Sequence, residues 1–275
     1  MPGKGAGTSL RVLVRGGGDL ASGAILRLAR AGCRVLVTEL PEPLAVRRTV
    51  SFAEAVYAGQ ILVEDIPGDL LPSIDQFERI SPGGVGVVVD PDFVSQSTFS
   101  PDVILDARMA KTPPEVTYQA GLVIGLGPGF VAGEHCHAVV ETRRGPFLGR
   151  LLWQGSAEKD TGIPERVEGY QAERVLRAPA SGIFTACVKI SERVHKTQVI
   201  AKIDEEPIFS PFDGIVRGLI HDGLRVTPQL KVGDVDARGD ERLCRLVSDK
   251  ALAIGGGVLE AILSQKKPDG TPGWF

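Results

Sequence analysis

An internal repeat constrains this chain more than any other feature of its sequence. Arg177 to Asp204 and Phe209 to Asp236 align at an offset of 32 residues. Ala178-Pro179 falls on Ser210-Pro211, Gly182-Ile183 on Gly214-Ile215, and Val194 on Val226. Ile200 falls on Val232, and Ile203-Asp204 on Val235-Asp236. The matched positions are turn residues and apolar residues of short, Gly/Pro-punctuated strands. One copy alone cannot bury its apolar face, so two must pack into a pseudo-symmetric β-barrel or sandwich.

The first half of the chain has a different style. Leu10 to Arg15 is a short apolar run that breaks at Gly16-Gly17-Gly18-Asp19, and Leu20 to Ala31 then follows helical spacing up to a stop at Gly32. Arg34 to Glu39 is the next strand, which completes a βαβ unit. A helix is predicted around Phe52 to Tyr57, and strands at Gln60 to Ile66, Gly86 to Val89, Val103 to Asp106 and Leu122 to Gly125. The strands are continuous apolar runs, as in a parallel sheet covered on both faces. Ala138 to Arg144 and Gly149 to Gln154 form a predicted edge hairpin around Gly145-Pro146. Gly155 to Gln171 turns polar and Gly/Pro-spaced, like a linker or a long loop. The tail holds a helix start at Ser248-Asp249, with Gly255-Gly256-Gly257 embedded further on. Either that helix breaks at the glycines or something packs too closely there for a Cβ.

The expected fold class is therefore α/β. It combines an N-terminal Rossmann-like parallel sheet (residues 1–155), a linker (156–173) and a C-terminal repeat β module (174–243). The module resembles a biotinyl/lipoyl-type barrel-sandwich and is closed by a C-terminal helix with its tail (244–275). Carriers of that type present a modifiable Lys on the turn between the halves. Here the turn is Asp204-Glu205-Glu206-Pro207-Ile208, without a Lys; the nearest, Lys202, lies in a predicted strand. The module is expected to dock or scaffold, with a purely structural role as the alternative.

A net charge of −3, from 31 Lys+Arg against 34 Asp+Glu, gives no basic footprint for nucleic acid. The longest nearly uncharged stretch, Ala120 to Gly133, is 14 residues and too turn-prone to span a bilayer. Met1 to Thr8 has no apolar signal region, and four scattered cysteines (Cys33, Cys136, Cys187, Cys244) form no C-x-x-C pair. These features predict a cytoplasmic protein with no membrane or nucleic-acid partner. They leave a homo-oligomer open.

Gly16-Gly17-Gly18-Asp19-Leu20-Ala21 fits G-x-G-x-x-G/A between strand and helix, with Glu39 at the end of the next strand. Open amides at a helix N-terminus hold phosphate, and such a carboxylate accepts from a ribose hydroxyl. A plain tight turn is the alternative. Asp19 would repel an anion unless a cation offsets it, and Arg47 and Arg48 are candidates to pair with phosphate or with acidic side chains. Asp106, Arg108 and Lys111 follow a strand end, either as a site element or as a structural pair.

Gly125, Gly127 and Gly129 form a second strand-to-glycine loop, in which Pro128 removes one N–H donor. His135 and His137 would share one strand face, either near an anionic ligand or as structural polarity. They lack a third ligand, so no metal site is assigned. Cys136 between them is the one thiol with a base nearby, and an inert buried thiol is the competing reading. No G-x-S-x-G elbow occurs, and no catalytic residue is assigned.

Several motifs then stand in order. They are Val14 to Gly23, Pro43 to Phe52, Ile124 to Phe130, Gly155-Ser156-Ala157-Glu158, Lys231 to Asp236, Ser248-Asp249-Lys250 and Gly255 to Glu260. Together they resemble the YqeB-like family, accessory proteins of the selenium-dependent molybdenum hydroxylase system. The resemblance implies a maturation factor that handles a phosphate-bearing cofactor, molybdopterin or a nucleotide, held without a covalent bond. Its implied partner is the hydroxylase apo-enzyme. The competing expectations are an NAD(P)-dependent oxidoreductase with an NAD-like ligand, and a docking scaffold with no ligand.

Overall fold

The computed structural model describes residues 9–112, 114–159, 169–170 and 172–265. The middle of the expected linker, residues 160–168 and 171, lies outside them, as does the tail from 266.

Strand β1 (Arg11–Arg15) leads through the glycine turn into α1 (Asp19–Arg30), and β2 (Arg34–Glu39) returns beside β1. Gly32, at φ 84°, ends the helix in the left-handed conformation that favours glycine. After the short α2 (Ala55–Ala58) come β3 (Gln60–Val63), β4 (Ile66–Leu70) and β5 (Val85–Val89). The short α3 (Ser95–Phe99) precedes β6 (Val103–Asp106) and β7 (Leu122–Leu126). The two-residue β8 (Val131–Ala132) comes next, then β9 (Ala138–Val140), β10 (Leu151–Leu152) and β11 (Gly155–Ser156). Nine of these strands form one sheet in the order β10-β9-β7-β6-β1-β2-β5-β4-β3, while β8 and β11 pair separately.

The repeat region supplies β12 (Val175–Arg177), β13 (Gly182–Ala186), β14 (Arg193–Val194) and β15 (Val199–Ile203). It continues with β16 (Glu206–Phe209), β17 (Gly214–Leu219), β18 (Arg225–Val226) and β19 (Lys231–Asp236). These form two four-stranded antiparallel sheets, β12-β19-β17-β14 and β16-β15-β13-β18. Exchanging the two copies strand for strand (β12 with β16, β13 with β17, β14 with β18, β15 with β19) turns one sheet order into the other. Each sheet thus contains strands of both copies, which is why neither copy stands alone.

This architecture overturns the expected fold class. The large sheet is mixed and not parallel, because the β3–β4 and β9–β10 pairs at its two edges are antiparallel. The stretch Gln60 to Ile66, expected as one strand, turns back at Glu64 (φ 54°) and makes the first of these hairpins. Both faces are covered, one by helices and the other largely by loops. One face carries α1 and the last helix, α4 (Asp249–Ser264). The other is covered by α3, 3-10 turns and loops whose Phe77, Phe93, Phe99 and Phe130 are buried against Leu13, Leu36 and Ile104.

The β module is not a self-contained carrier domain either. Val46 and Tyr57 of the first half pack against its core, and a Cβ at Gly218 would lie 2.6 Å from the Val46 carbonyl oxygen. The C-terminal helix does not close this module. Capped at Ser248, whose hydroxyl accepts from Ala251 N at 3.1 Å, α4 packs on α1. Its three glycines do not break it. The approach is too close for a side chain, since a Cβ on Gly255 would lie 2.5 Å from the Gly23 carbonyl oxygen.

Candidate functional site

A cleft of about 490 Å³ opens where the C-terminal ends of β1, β2, β5 and β6 meet the start of α1. The chain leaves β1 toward β2 on one side and later returns to β6 on the other, so β1 and β6 flank a topological switch point. Open α/β sheets bind ligands at such crevices.

The glycine turn is partly closed by the protein's own groups. Gly16 N donates to Thr38 O at 2.9 Å, and Gly17 N donates to Glu39 Oε1 at 2.6 Å. Glu39 Oε2 accepts from Leu40 N at 3.0 Å. Glu39 therefore clamps the turn instead of presenting a free ribose acceptor. Burial pushes its carboxyl above the usual range, and the two amides pull it part of the way back. A side chain on Gly17 would strike Val37 and Ala53 N, whereas one on Gly18 would meet nothing within 4 Å. Gly18 is the N-cap of α1, and no side chain caps the helix. The orphan amides of its first turn are the open donors of the site, at the positive end of the helix dipole.

Asp19, in that first turn, is neutralised. Arg47 Nη1 donates to both its carboxylate oxygens, at 3.0 and 3.2 Å, while Arg47 Nη2 donates to Leu243 O and Leu246 O. Arg47 is 4% exposed and is committed to these bonds, so it acts as a structural tie. Arg48 points away toward the β module, where Nε donates to Leu219 O at 2.9 Å and Nη1 to Glu54 Oε1 at 3.3 Å. Glu54 also lies 2.9 Å from His221 Nε2, and the His221 ring stacks on Tyr57.

Asp106 is fully buried and accepts from Arg108 Nε and Nη2 and from the Tyr118 hydroxyl. Desolvation, reinforced by Asp106, raises the Tyr118 phenol well above its usual range. Arg108 keeps a partly exposed guanidinium and lines the cleft beside Gly16. It is thus both half of a structural pair and part of the site. Lys111 is exposed and stands outside the cleft wall.

The second glycine loop does not reach the cleft. The space a side chain on Gly125 would need is filled by Phe130, and Gly129 N donates to Ala110 O at 2.9 Å. Gly127, at φ 102°, packs against Met109. His135 and His137 lie in a turn and its exit, where their Nδ1 atoms accept from Val131 N (3.1 Å) and Val123 N (2.9 Å). Both are structural acceptors. Burial pushes the Cys136 thiol up to about 11, so it is not a thiolate at neutral pH. Among the described residues, no group of three or more His, Cys, Asp and Glu is placed to hold a metal. No described helix is long and apolar enough to cross a membrane.

Sequence reasoning missed Arg15, Thr38 and Asp90, which also line the cleft. Their signal was position alone, since each stands at or just beyond the C-terminal end of a central strand. Asp90 accepts from Val94 N (3.0 Å) and Ser95 N (2.8 Å) and so anchors the turn into α3. Leu40, Pro43, Leu44 and Met109 add apolar surface to the cleft lining.

Over 254 residues, 92% of its length, the chain is 43% identical to the uncharacterized protein YqeB of Escherichia coli K12. The chain is homologous to YqeB. It spans 47% of that protein's length, about half. No protein-family model matches the chain. Among solved structures, an aspartoacylase family protein from Mesorhizobium loti matches at 14% identity and a TM-score of 0.26, covering 83% of this chain and 85% of that one. A succinylglutamate desuccinylase/aspartoacylase from Rhodobacter sphaeroides matches at 14% identity and a TM-score of 0.27, covering 83% and 86%. Likenesses this slight say nothing about activity.

Proposed function

We propose that this protein is an accessory factor for maturation of a selenium-dependent molybdenum hydroxylase. It holds a phosphate-bearing cofactor, molybdopterin or a nucleotide, in the switch-point cleft, and its partner is the hydroxylase apo-enzyme. One observation carries the binding half of this proposal: the uncapped N-terminus of α1 opens into a cleft that also presents Arg15 and Arg108. An anion placed there meets unused backbone donors, a helix dipole and the guanidinium of Arg108 beside Gly16. Asp19 does not oppose it, because Arg47 pairs with that carboxylate. The apolar surface of Leu40, Pro43, Leu44 and Met109 suits the ring of such a cofactor. The hydroxylase half is supported by the ordered motifs of the family resemblance.

Calorimetry of the full chain with molybdopterin nucleotides, AMP and NAD(P) tests the binding. Gly18→Leu is the informative variant, since its side chain enters the open space of the cleft, whereas Gly17→Leu would clash with Val37 and Ala53. The expected result is binding of at least one ligand, abolished by Gly18→Leu with the melting temperature retained. Absence of binding to every ligand overturns the proposal. Co-purification of the apo-hydroxylase with the full chain tests the partner.

A further inference from the structure

Two buried polar atoms of cleft-lining residues make no hydrogen bond, and a phosphate at α1 satisfies neither. Thr38 is 2% exposed, and its Oγ1 is buried with no hydrogen-bond partner among the described residues. Arg15 is its register partner on the adjacent strand, and Arg15 Nη1 is likewise buried without a hydrogen bond. The nearest carboxylate oxygen in an ion pair with that nitrogen is Asp106 Oδ2, at 3.7 Å. Burying a hydroxyl or a guanidinium N–H unpaired is costly, so folded proteins leave few such groups.

Parallel pairing of β1 with β2 and with β6 sets Thr38, Arg15 and Asp106 side by side at the strand ends, on one face of the sheet. Asp106 is already saturated by Arg108 and Tyr118. The guanidinium of Arg15 is held in place over the Phe93 ring, 4.9 Å from its centroid. The row thus offers two donors, the Arg15 N–H and the Thr38 O–H, and no spare carboxylate oxygen.

We infer that Thr38 Oγ1 and Arg15 Nη1 together bind an oxygen of the ligand other than its phosphate. The ligand class is a phosphate ester whose organic half carries a hydroxyl or carbonyl oxygen near the ester. Guanidinium nitrogens only donate and the hydroxyl can donate, so the group they share is an acceptor oxygen. A bare phosphate at α1 would leave both groups as they are. The inference rests on the proposed phosphate site and adds a specificity determinant to it.

The test uses Thr38→Val, which keeps the shape and removes the hydroxyl, and Thr38→Ser, which restores it. Each full-length variant is titrated by calorimetry with inorganic phosphate and with the tightest binder among molybdopterin nucleotides, AMP and ribose 5-phosphate. Thermal unfolding is recorded without ligand. A hydroxyl with no internal partner predicts that Thr38→Val melts at or above the wild-type temperature. Phosphate affinity should stay unchanged, while the Kd for the ester rises about tenfold, the effect of one lost hydrogen bond. Thr38→Ser should recover most of the affinity. Lower thermal stability in Thr38→Val would reveal an internal partner and overturn the inference, as would an unchanged Kd for the ester. Wild-type protein that binds neither phosphate nor any ester fails at the earlier step and removes the cleft as a phosphate site altogether.

Discussion

Alanine at two neighbouring positions of α4 should move stability in opposite directions. Gly256 faces open space, with nothing within 4 Å of an added Cβ. Gly256→Ala therefore gains helix propensity at no steric cost, about 1 kcal/mol. At Gly255 the same methyl would lie 2.5 Å from Gly23 O, 2.8 Å from Gly23 C and 2.9 Å from Ala24 Cα. All three are backbone atoms of α1, so no rotamer change relieves the clash and the helices must part. Overpacking costs about 1–3 kcal/mol, and the upper end applies when backbone must move. Against the propensity gain of about 1 kcal/mol, Gly255→Ala loses about 2 kcal/mol net. At roughly 2–4 °C per kcal/mol for a chain of this size, Gly256→Ala should melt a few degrees above wild type and Gly255→Ala several degrees below. Urea midpoints at unchanged m report the same difference. Equal stability of the two variants, or a Gly255→Ala protein more stable than wild type, would refute the claim that the α1–α4 crossing is closed by bare glycine.

Removing Arg47 as Arg47→Met strands Asp19 and two carbonyl groups, and should destabilise by about 3 kcal/mol in urea unfolding. A thiol reagent at pH 8 should label Cys187 rapidly in the native state and Cys33, Cys136 and Cys244 only on unfolding, because those three are buried. Burial also pushes the Cys33 and Cys136 thiols up to about 11. Mass mapping of the labelled peptides checks this. Asp249, held by Arg144, has its carboxyl lowered from about 3.8 to about 2. A depressed carboxyl stabilises the fold above its unfolded pKa, and this stability is lost as the pH falls from about 4 to 2. Asp249→Asn should flatten that limb of stability against pH. Its cost at pH 7 should stay below about 1 kcal/mol, because the pair is largely exposed.

Local signals in the sequence were legible. The first strand, its glycine turn, the helix and the Gly32 stop lie where turn chemistry and helical period place them. The repeat shows in the structure as four strand pairs displaced by one period: β13 starts at Gly182 and β17 at Gly214, β14 at Arg193 and β18 at Arg225. Long-range consequences were not legible. An apolar run such as Gln60 to Ile66 looks the same whether it continues or reverses at Glu64, and that choice made the sheet edge antiparallel. The docking of α4 on α1 depends on Gly23 meeting Ala251 and Gly255, more than 200 residues away, a pairing no local window contains. At the site the ambiguity has one physical origin. A glycine records that something comes too close for a Cβ, but not whether that something is a ligand or the chain itself. At Gly17, Gly125 and Gly129 the neighbour is the chain: Val37 and Ala53, Phe130, and the carbonyls of Ala110 and Thr112. Gly16 and Gly127 lie against Arg108 and Met109. Of the six glycines assigned to the candidate site from sequence, Gly18 alone faces open space. A strand-end Arg15 or Thr38, by contrast, carries no local mark, and its unpaired atoms become visible only once the neighbouring strands are in register. The candidate site thus reduces to one helix end and one cross-strand pair, and a substitution at Gly18 separates ligand binding from folding where one at Gly17 cannot.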